Sequence, residues 1–145
     1  MHSMMAKLMP KAFTLVELIM VVSIIGMMAI FVIPNYSKSV NKAYERAGSN
    51  NLYIVYSAQM TRINNAQPTQ AGATTALVNT NLSLSIIPNG MDYSCTAPTA
   101  STFNCRADRS DGTFRLQVTN ANPANVCCCT SVGACPSIAA CSPVC

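Results

Sequence analysis

The stretch Lys11-Ala12-Phe13-Thr14-Leu15-Val16-Glu17-Leu18-Ile19 opens a long apolar run in this 145-residue chain. From Phe13 to Ile33 the only ionisable side chain is that of Glu17. As an α-helix this run would be about 31 Å long, which matches the hydrocarbon core of a bilayer. It is longer than a signal-peptide core and no Ala-x-Ala cleavage pattern follows it. We therefore expect it to stay in the protein as a membrane-spanning helix.

Glu17 is the unusual residue of this run. A carboxylate inside a bilayer costs roughly 2.5–3.5 kcal/mol, so it is expected where a partner compensates it. The plain alternative is a protonated glutamic acid that is tolerated near the headgroups, in the second turn of the helix. The residues around Glu17 favour a functional role.

Those residues resemble the class III signal of type IV prepilins and of the pseudopilins of type II secretion. In that family a dedicated peptidase removes a short basic leader, phenylalanine becomes the N-methylated N-terminus, and glutamate occupies the fifth mature position. Phe13 and Glu17 have this spacing. Pro34 stands where many pilins have a proline that bends the helix. Ala12 is a departure, because the family usually has glycine before the cut.

The resemblance covers about residues 7–56 and implies how the subunits assemble. Cleavage after Ala12 would create a positive amine on Phe13 in apolar surroundings, where an unpaired charge is costly. Glu17 of an axially displaced neighbour could pair with that amine, which would favour staggered packing. The implied partners are prepilin peptidase, the inner-membrane assembly machinery, membrane lipid before assembly, and copies of this chain and of other pilins in a helical filament.

The composition argues against an enzyme and against nucleic-acid binding. Nine basic residues face five acidic ones, and loss of Lys7 and Lys11 with the leader would leave seven. The only histidine is His2, and we find no nucleophile elbow or phosphate loop. We therefore predict no catalytic site and no cofactor. A basic patch for DNA uptake is a weaker interpretation than a solvated sheet face for three arginines, Arg106, Arg109 and Arg115.

The cysteines indicate a disulfide framework in an oxidising compartment. All eight lie in the last part of the chain, at Cys95, Cys105, Cys127, Cys128, Cys129, Cys135, Cys141 and Cys145. The absence of a Cys-x-x-Cys pair disfavours a metal site. Cys95 and Cys105 could bridge two neighbouring strands, or either could bond to the tail. The three consecutive cysteines are expected to have three different partners, because a bond between adjacent cysteines is strained.

The disulfides and the family resemblance together place the cysteine-rich domain outside the inner membrane. The N-terminus would be cytoplasmic, with a single membrane pass before assembly and an extracellular filament afterwards. Charge asymmetry adds little, because Lys38, Lys42 and Arg46 follow the span just as Lys7 and Lys11 precede it.

We predict an α+β fold of the type IV pilin kind, in which a long N-terminal membrane-spanning helix packs on a small antiparallel sheet with a disulfide-rich C-terminal region. The predicted segments are a removed leader (1–12), the transmembrane and assembly half of the helix (13–33), its amphipathic half (34–65), a connecting region (66–90), and the sheet with its stapled tail (91–145).

The apolar stripe of the amphipathic half contains Tyr36, Val40, Ala43, Tyr44, Ala47, Ile54, Val55 and Ala58, which recur every three or four residues. The polar residues that lie mostly off this stripe are Lys38, Asn41, Lys42, Glu45, Arg46 and Arg62. Asn51 interrupts the stripe, and Gly48 is a weak point of the helix.

Strand patterns follow the connecting region. The predicted elements are strands at Met91–Cys95 and Thr102–Ala107 with a loop between them, a turn at Asp108–Gly112, and a strand at Thr113–Thr119. Alternation in the last strand places Phe114, Leu116 and Val118 on the face that packs against the helix. Leu77–Ile87 fits a short helix or an irregular connection. Residues 120–145 show little periodicity.

Two smaller features have alternative interpretations. Asp108, Ser110 and Asp111, with Asp92 nearby, could form a cation loop, because major pseudopilins bind calcium in a C-terminal loop. A polar turn is favoured. The tyrosines Tyr36, Tyr44, Tyr53 and Tyr56 indicate helix packing rather than an electron path.

We therefore expect a structural subunit of a type IV pilus filament. The sequence leaves open whether the filament serves adhesion, twitching or DNA uptake, and whether this is a major or a minor subunit. The nearest alternative is a type II secretion pseudopilin. A second is a permanently membrane-anchored, cysteine-rich binding protein whose leader is never cut.

Overall fold

The computed structural model describes residues 13–120, 126–130 and 132–140. The predicted leader, with Ala12 at its end, lies outside these residues, as do Cys141 and Cys145. The chain divides into two compact units, with the boundary between Ser37 and Lys38.

The first unit contains the apolar part of helix α1, which comprises Leu15–Asn64. The helix begins two residues after Phe13 because Thr14 caps it, and it ends where the sequence predicts, ahead of Pro68. It is the one described helix that is long and apolar enough to cross a membrane, and its apolar window is wholly unburied. Pro34 lies within α1, and a bend there stays a prediction.

The second unit combines the rest of α1 with a short helix and an antiparallel sheet. These elements are α2 (Thr75–Leu82), β1 (Met91–Thr99), β2 (Thr102–Arg109), β3 (Arg115–Thr119) and β4 (Cys127–Cys128). The four strands hydrogen-bond in chain order. The predicted α+β class is confirmed, since a long apolar N-terminal helix and a small antiparallel sheet are both present.

The core of the second unit lies between α1 and one face of the sheet. Leu52 and Val55 of α1 are fully buried with Tyr93 and Phe103 of the sheet. The rings of Tyr56 and Phe103 are 5.7 Å apart between centroids. As predicted, Phe114, Leu116 and Val118 are buried on this face.

The predicted apolar stripe of α1 is only partly buried: Val55 is in the core and Tyr44 and Ala58 pack against it, but other members of the stripe are exposed. The residues of α1 that are fully buried or nearly so are Glu45, Gly48, Leu52, Val55 and Gln59, whereas Ala43, Ala47 and Ile54 are exposed. Three of the five buried positions carry a polar side chain or none, so hydrophobic periodicity does not detect them. Gln59 is satisfied by the backbone of Gln70, which it contacts through two hydrogen bonds of 2.6 and 3.0 Å. Asn51, which interrupts the predicted stripe, donates to the Tyr93 hydroxyl at 2.8 Å.

The first hairpin is longer than predicted. Pairing continues to Thr99 opposite Thr102, with an irregularity between Thr96 and Thr99. The expected loop is therefore mostly strand, and only Ala100 and Ser101 connect β1 to β2. The Thr69 hydroxyl supports this end by hydrogen bonding to the carbonyl oxygens of both Thr99 and Thr102.

The turn after β2 lies two residues further along the chain than predicted, and β3 accordingly begins at Arg115 rather than at Thr113. Asp108 and Arg109 still pair with β1, so the turn itself begins at Ser110. Gly112 has a φ of 72°, a left-handed conformation that glycine adopts without strain.

Two segments form regular secondary structure that the sequence analysis did not predict. The Leu77–Ile87 region forms a helix at its start, where Thr74 caps α2 and accepts from the Leu77 amide. In the tail, β4 pairs with β3 through Leu116 opposite Cys128 and Gln117 opposite Cys127. A strand of two residues is too short to produce a periodic pattern.

Candidate assembly site

The start of α1 is held by a reciprocal pair of side chains, Thr14 and Glu17. The Glu17 carboxylate oxygen Oε2 accepts from the Thr14 amide at 2.9 Å and from the Thr14 hydroxyl at 2.8 Å. The Glu17 amide donates back to the Thr14 hydroxyl at 3.3 Å. This arrangement is a capping box, which satisfies amides that the first turn of a helix leaves without partners.

Sequence reasoning missed Thr14. Its signal is the pattern Thr-x-x-Glu at residues 14–17, followed by an apolar run. The consequence is that Glu17 has a local structural role in addition to the assembly role that the family resemblance implies.

The carboxylate of Glu17 keeps capacity for a further partner. Its second oxygen, Oε1, accepts no hydrogen bond from the described residues, and no described cation forms an ion pair with Glu17. The side chain is exposed, at the same end of the helix as Phe13. A positive group from outside the chain could therefore approach Oε1 without breaking the cap.

Apolar side chains surround the helix on all sides from Phe13 to Phe31. The large ones are exposed by between 49% at Val21 and 83% at Phe13. The other exposed members are Leu15, Val16, Leu18, Ile19, Met20, Val22, Ile24, Ile25, Met27, Met28, Ile30 and Phe31. An apolar surface of this size on one element marks contact with lipid or with other helices. The predicted cut at Ala12, which precedes this surface, lies outside the described residues.

Glu45 contradicts the prediction that it lies off the buried face. It is fully buried, and its Oε1 accepts from the amides of Ser137 and Ile138 at 3.0 and 2.6 Å. Its Oε2 accepts from the Ser137 hydroxyl at 2.6 Å. All three partners are donors, as an ionised carboxylate requires. Glu45 therefore anchors the C-terminal segment to α1, and nothing in its local sequence indicates this.

Disulfides hold the sheet and its tail. Cys95 and Cys105 face each other directly in the β1–β2 register and form a disulfide, which is the first of the two arrangements that the sequence left open. Cys128 bonds to Cys135. Cys127 and Cys129 are disulfide-bonded as well. All six cysteines in the described part of the chain are therefore oxidised.

The acidic turn is occupied by internal partners. Asp108 forms an ion pair with Arg115. Asp111 accepts from Thr113 and pairs with Arg109 at 3.2 Å. Hydrogen bonds from Thr113 lower the pKa of the Asp111 carboxyl group, and the nearby Arg109 adds to that effect. Over residues 13–120, 126–130 and 132–140, no group of three potential ligands is placed to hold a metal ion.

The arginines and tyrosines that the sequence analysis considered differ in whether their side chains are packed or exposed. Arg109 stacks on the Tyr44 ring, 3.3 Å from its centroid, so this arginine is not simply a solvated cation of the sheet. Tyr44 and Tyr56 pack against the core as predicted. Tyr36 and Tyr53 are exposed in the single chain, so helix packing of these two stays a prediction.

Comparison with protein families, curated proteins and solved structures gives no match in any of the three. The resemblance of the N-terminal stretch to prepilins therefore rests on its sequence motif alone.

Proposed function

We propose that this chain is a structural subunit of a type IV pilus filament. Its N-terminal helix would lie in the inner membrane before assembly and in the filament core afterwards. The observation that carries the proposal is the combination of the prepilin-like motif at Lys11–Glu17 with a helix that exposes apolar side chains all round. Such a helix has to be covered by lipid or by other helices, and a filament subunit uses both in turn.

The geometry at Glu17 adds support to this proposal. The cap occupies Oε2, and Oε1 is available for the Phe13 amine of a neighbouring subunit. A charge-assisted hydrogen bond of this kind is roughly twice as strong as a neutral one. The cap also holds the carboxylate close to the end of the helix, where the incoming amine would arrive.

A type II secretion pseudopilin is the second candidate. The disulfides at Cys95–Cys105 and Cys128–Cys135 favour a pilus subunit, because the pseudopilin domains of the resembled family more often rely on calcium. In the described turn, Asp108 and Asp111 are already bonded to arginine or threonine, which adds to this preference.

The N-terminus of the membrane-bound protein tests the proposal. We expect Edman sequencing and intact-mass analysis to show Phe13 as the first residue, carrying an N-methyl group. Retention of residues before Phe13, or a cut elsewhere, would favour the permanently anchored cysteine-rich protein instead. Mechanical shearing of cells then separates the first two candidates, since a pilus is released as a long filament and a short periplasmic pseudopilus is not.

A further inference from the structure

We propose that Lys38, Lys42 and Arg46 form a binding surface for the headgroups of anionic phospholipids. We call these three residues the basic stripe. They recur at four-residue spacing in α1, which places them along one side of the helix, and all three are exposed. The inference requires the apolar run to lie in a membrane, but it does not require the chain to form a filament.

The burial of Glu45 leaves the basic stripe without an ion-pair partner among the described residues. Glu45 is the only acidic residue of α1 after Glu17, and its spacing from Lys42 would suit a helical ion pair. The structure instead turns Glu45 inward, where Ser137 and Ile138 bind it. The ion pairs of the described residues are Arg109–Asp111 and Arg115–Asp108, so none involves the basic stripe.

The position in the chain favours lipid as the partner. Lys38 follows Ile33, the last residue of the apolar run, by five residues. Clusters of lysine and arginine next to a membrane span are attracted to anionic lipid, and lysine side chains can bend back toward the headgroups. The exposed cations of the stripe thus begin where the headgroup layer is expected.

A second copy of the chain fits the stripe less well. The chain has five acidic residues. Glu45 is buried, Glu17 lies in the apolar run, and Asp108 and Asp111 are paired with arginines. Asp92 is the one exposed carboxylate left to a neighbouring copy. A contact between copies would therefore leave most of the stripe unpaired, whereas a lipid surface supplies many phosphates.

The test measures which lipids the full chain retains. The protein is reconstituted in liposomes of equal parts phosphatidylcholine and phosphatidylglycerol and extracted in mild detergent. Native mass spectrometry then gives the ratio of bound phosphatidylglycerol to bound phosphatidylcholine. One cation near an anionic surface is worth about fivefold in binding. We expect this ratio to fall by about fivefold or more in K38Q/K42Q/R46Q relative to the wild type.

Control variants show whether the charge of the basic stripe causes the change in lipid ratio. The leader lysines are the same in every variant, so they do not contribute to the difference. K38R/K42R keeps the charge and is expected to keep the ratio, and so is Arg62→Gln, which removes a cation at the far end of α1. Reconstitution and extraction in 0.5 M NaCl should lower the wild-type ratio, since salt screens exposed charges.

An equal ratio in the wild type and K38Q/K42Q/R46Q would overturn the proposal. If that equal ratio is accompanied by weaker chemical cross-linking between copies of the variant, the stripe is assigned to a protein contact instead. Far-UV circular dichroism and non-reducing electrophoresis check folding, and Lys38→Gln alone, expected to show part of the loss, serves as a milder variant.

Discussion

The Glu45 carboxyl group binds the C-terminal segment at two consecutive residues, Ser137 and Ile138, and it does so from a fully buried position. A hydrogen bond to a charged group contributes about 1.5–3 kcal/mol. We expect Glu45→Ala to lower the free energy of unfolding of the detergent-solubilised chain by about 2–3 kcal/mol. Denaturant unfolding followed by circular dichroism measures this.

Glu45→Gln is the matched control, because its amide oxygen can still accept from both backbone amides and its NH₂ can donate to the Ser137 hydroxyl. We expect it to cost less than about 1 kcal/mol, within the net value of one neutral hydrogen bond. If Ala and Gln are equally mild, Glu45 does not anchor the segment.

We expect Tyr93 to make the second unit sensitive to alkaline pH. Burial raises the pKa of its hydroxyl above the ordinary value of 10.0, and the hydrogen bond from Asn51 opposes part of this rise. Because the pKa is higher in the folded state than in the unfolded state, the stabilisation is complete below about pH 10 and is lost as the pH rises through the folded-state value.

We therefore expect Tyr93→Phe to lose about 1 kcal/mol near neutral pH, the typical value of one hydrogen bond, and to lose less than the wild type on going to pH 11 or so. Denaturation midpoints of both proteins across this range give the comparison. Parallel alkaline slopes for the two proteins would show that Tyr93 is not responsible.

At the scale of elements, Gly48 is a position where α1 packs closely on the sheet. A Cβ atom there would lie 2.7 Å from Met91 Cε and 3.1 Å from Leu116 Cδ1. Overpacking of this kind typically costs about 1–3 kcal/mol, and we expect that loss for Gly48→Val. Ala47→Val, at the exposed neighbouring position, carries the same β-branched side chain and should cost less than about 1 kcal/mol. Equal denaturation midpoints for the two variants would contradict this packing.

The same element shows what the sequence could and could not predict. The length of α1, its apolar run and the alternation of Phe114, Leu116 and Val118 are strong sequence signals, and the fold class follows from them. The buried face of α1 could not be predicted from the sequence, because Glu45 and Gln59 are buried through hydrogen bonds to segments that are distant in sequence. The strand at Cys127–Cys128 depends on pairing with β3 rather than on a pattern of its own.

The candidate site was predictable in part. The positions of Phe13 and Glu17 follow from the motif, whereas the cap by Thr14 was overlooked although its Thr-x-x-Glu signal is present. Glu45 points inward, and within the described part of the chain this leaves Lys38, Lys42 and Arg46 without an ion-pair partner. This could not be predicted, because it depends on where the C-terminal segment folds.

At the scale of the whole molecule, the charge of Glu17 joins one subunit to the next in the proposed filament. The cap gives this residue a second, local role, and the two roles can be separated. Glu17→Gln removes the charge but keeps a side chain that can complete a capping box, since glutamine also serves at this position. Thr14→Ala does the reverse, because it removes the hydroxyl of the cap, at a cost of about 1 kcal/mol, and keeps the carboxylate, which can still accept from the backbone amide of residue 14.

The decisive measurement is the yield of sheared filament relative to the total subunit in the membrane fraction, for the wild type, Glu17→Gln and Thr14→Ala. We predict that Glu17→Gln inserts into the membrane at least as well as the wild type, because it removes a charge from the apolar zone, yet yields few or no filaments. Thr14→Ala should retain most of the filament yield. Equal yields for Glu17→Gln and the wild type at equal subunit levels would contradict the account, and a loss confined to Thr14→Ala would show that Glu17 serves only as a helix cap.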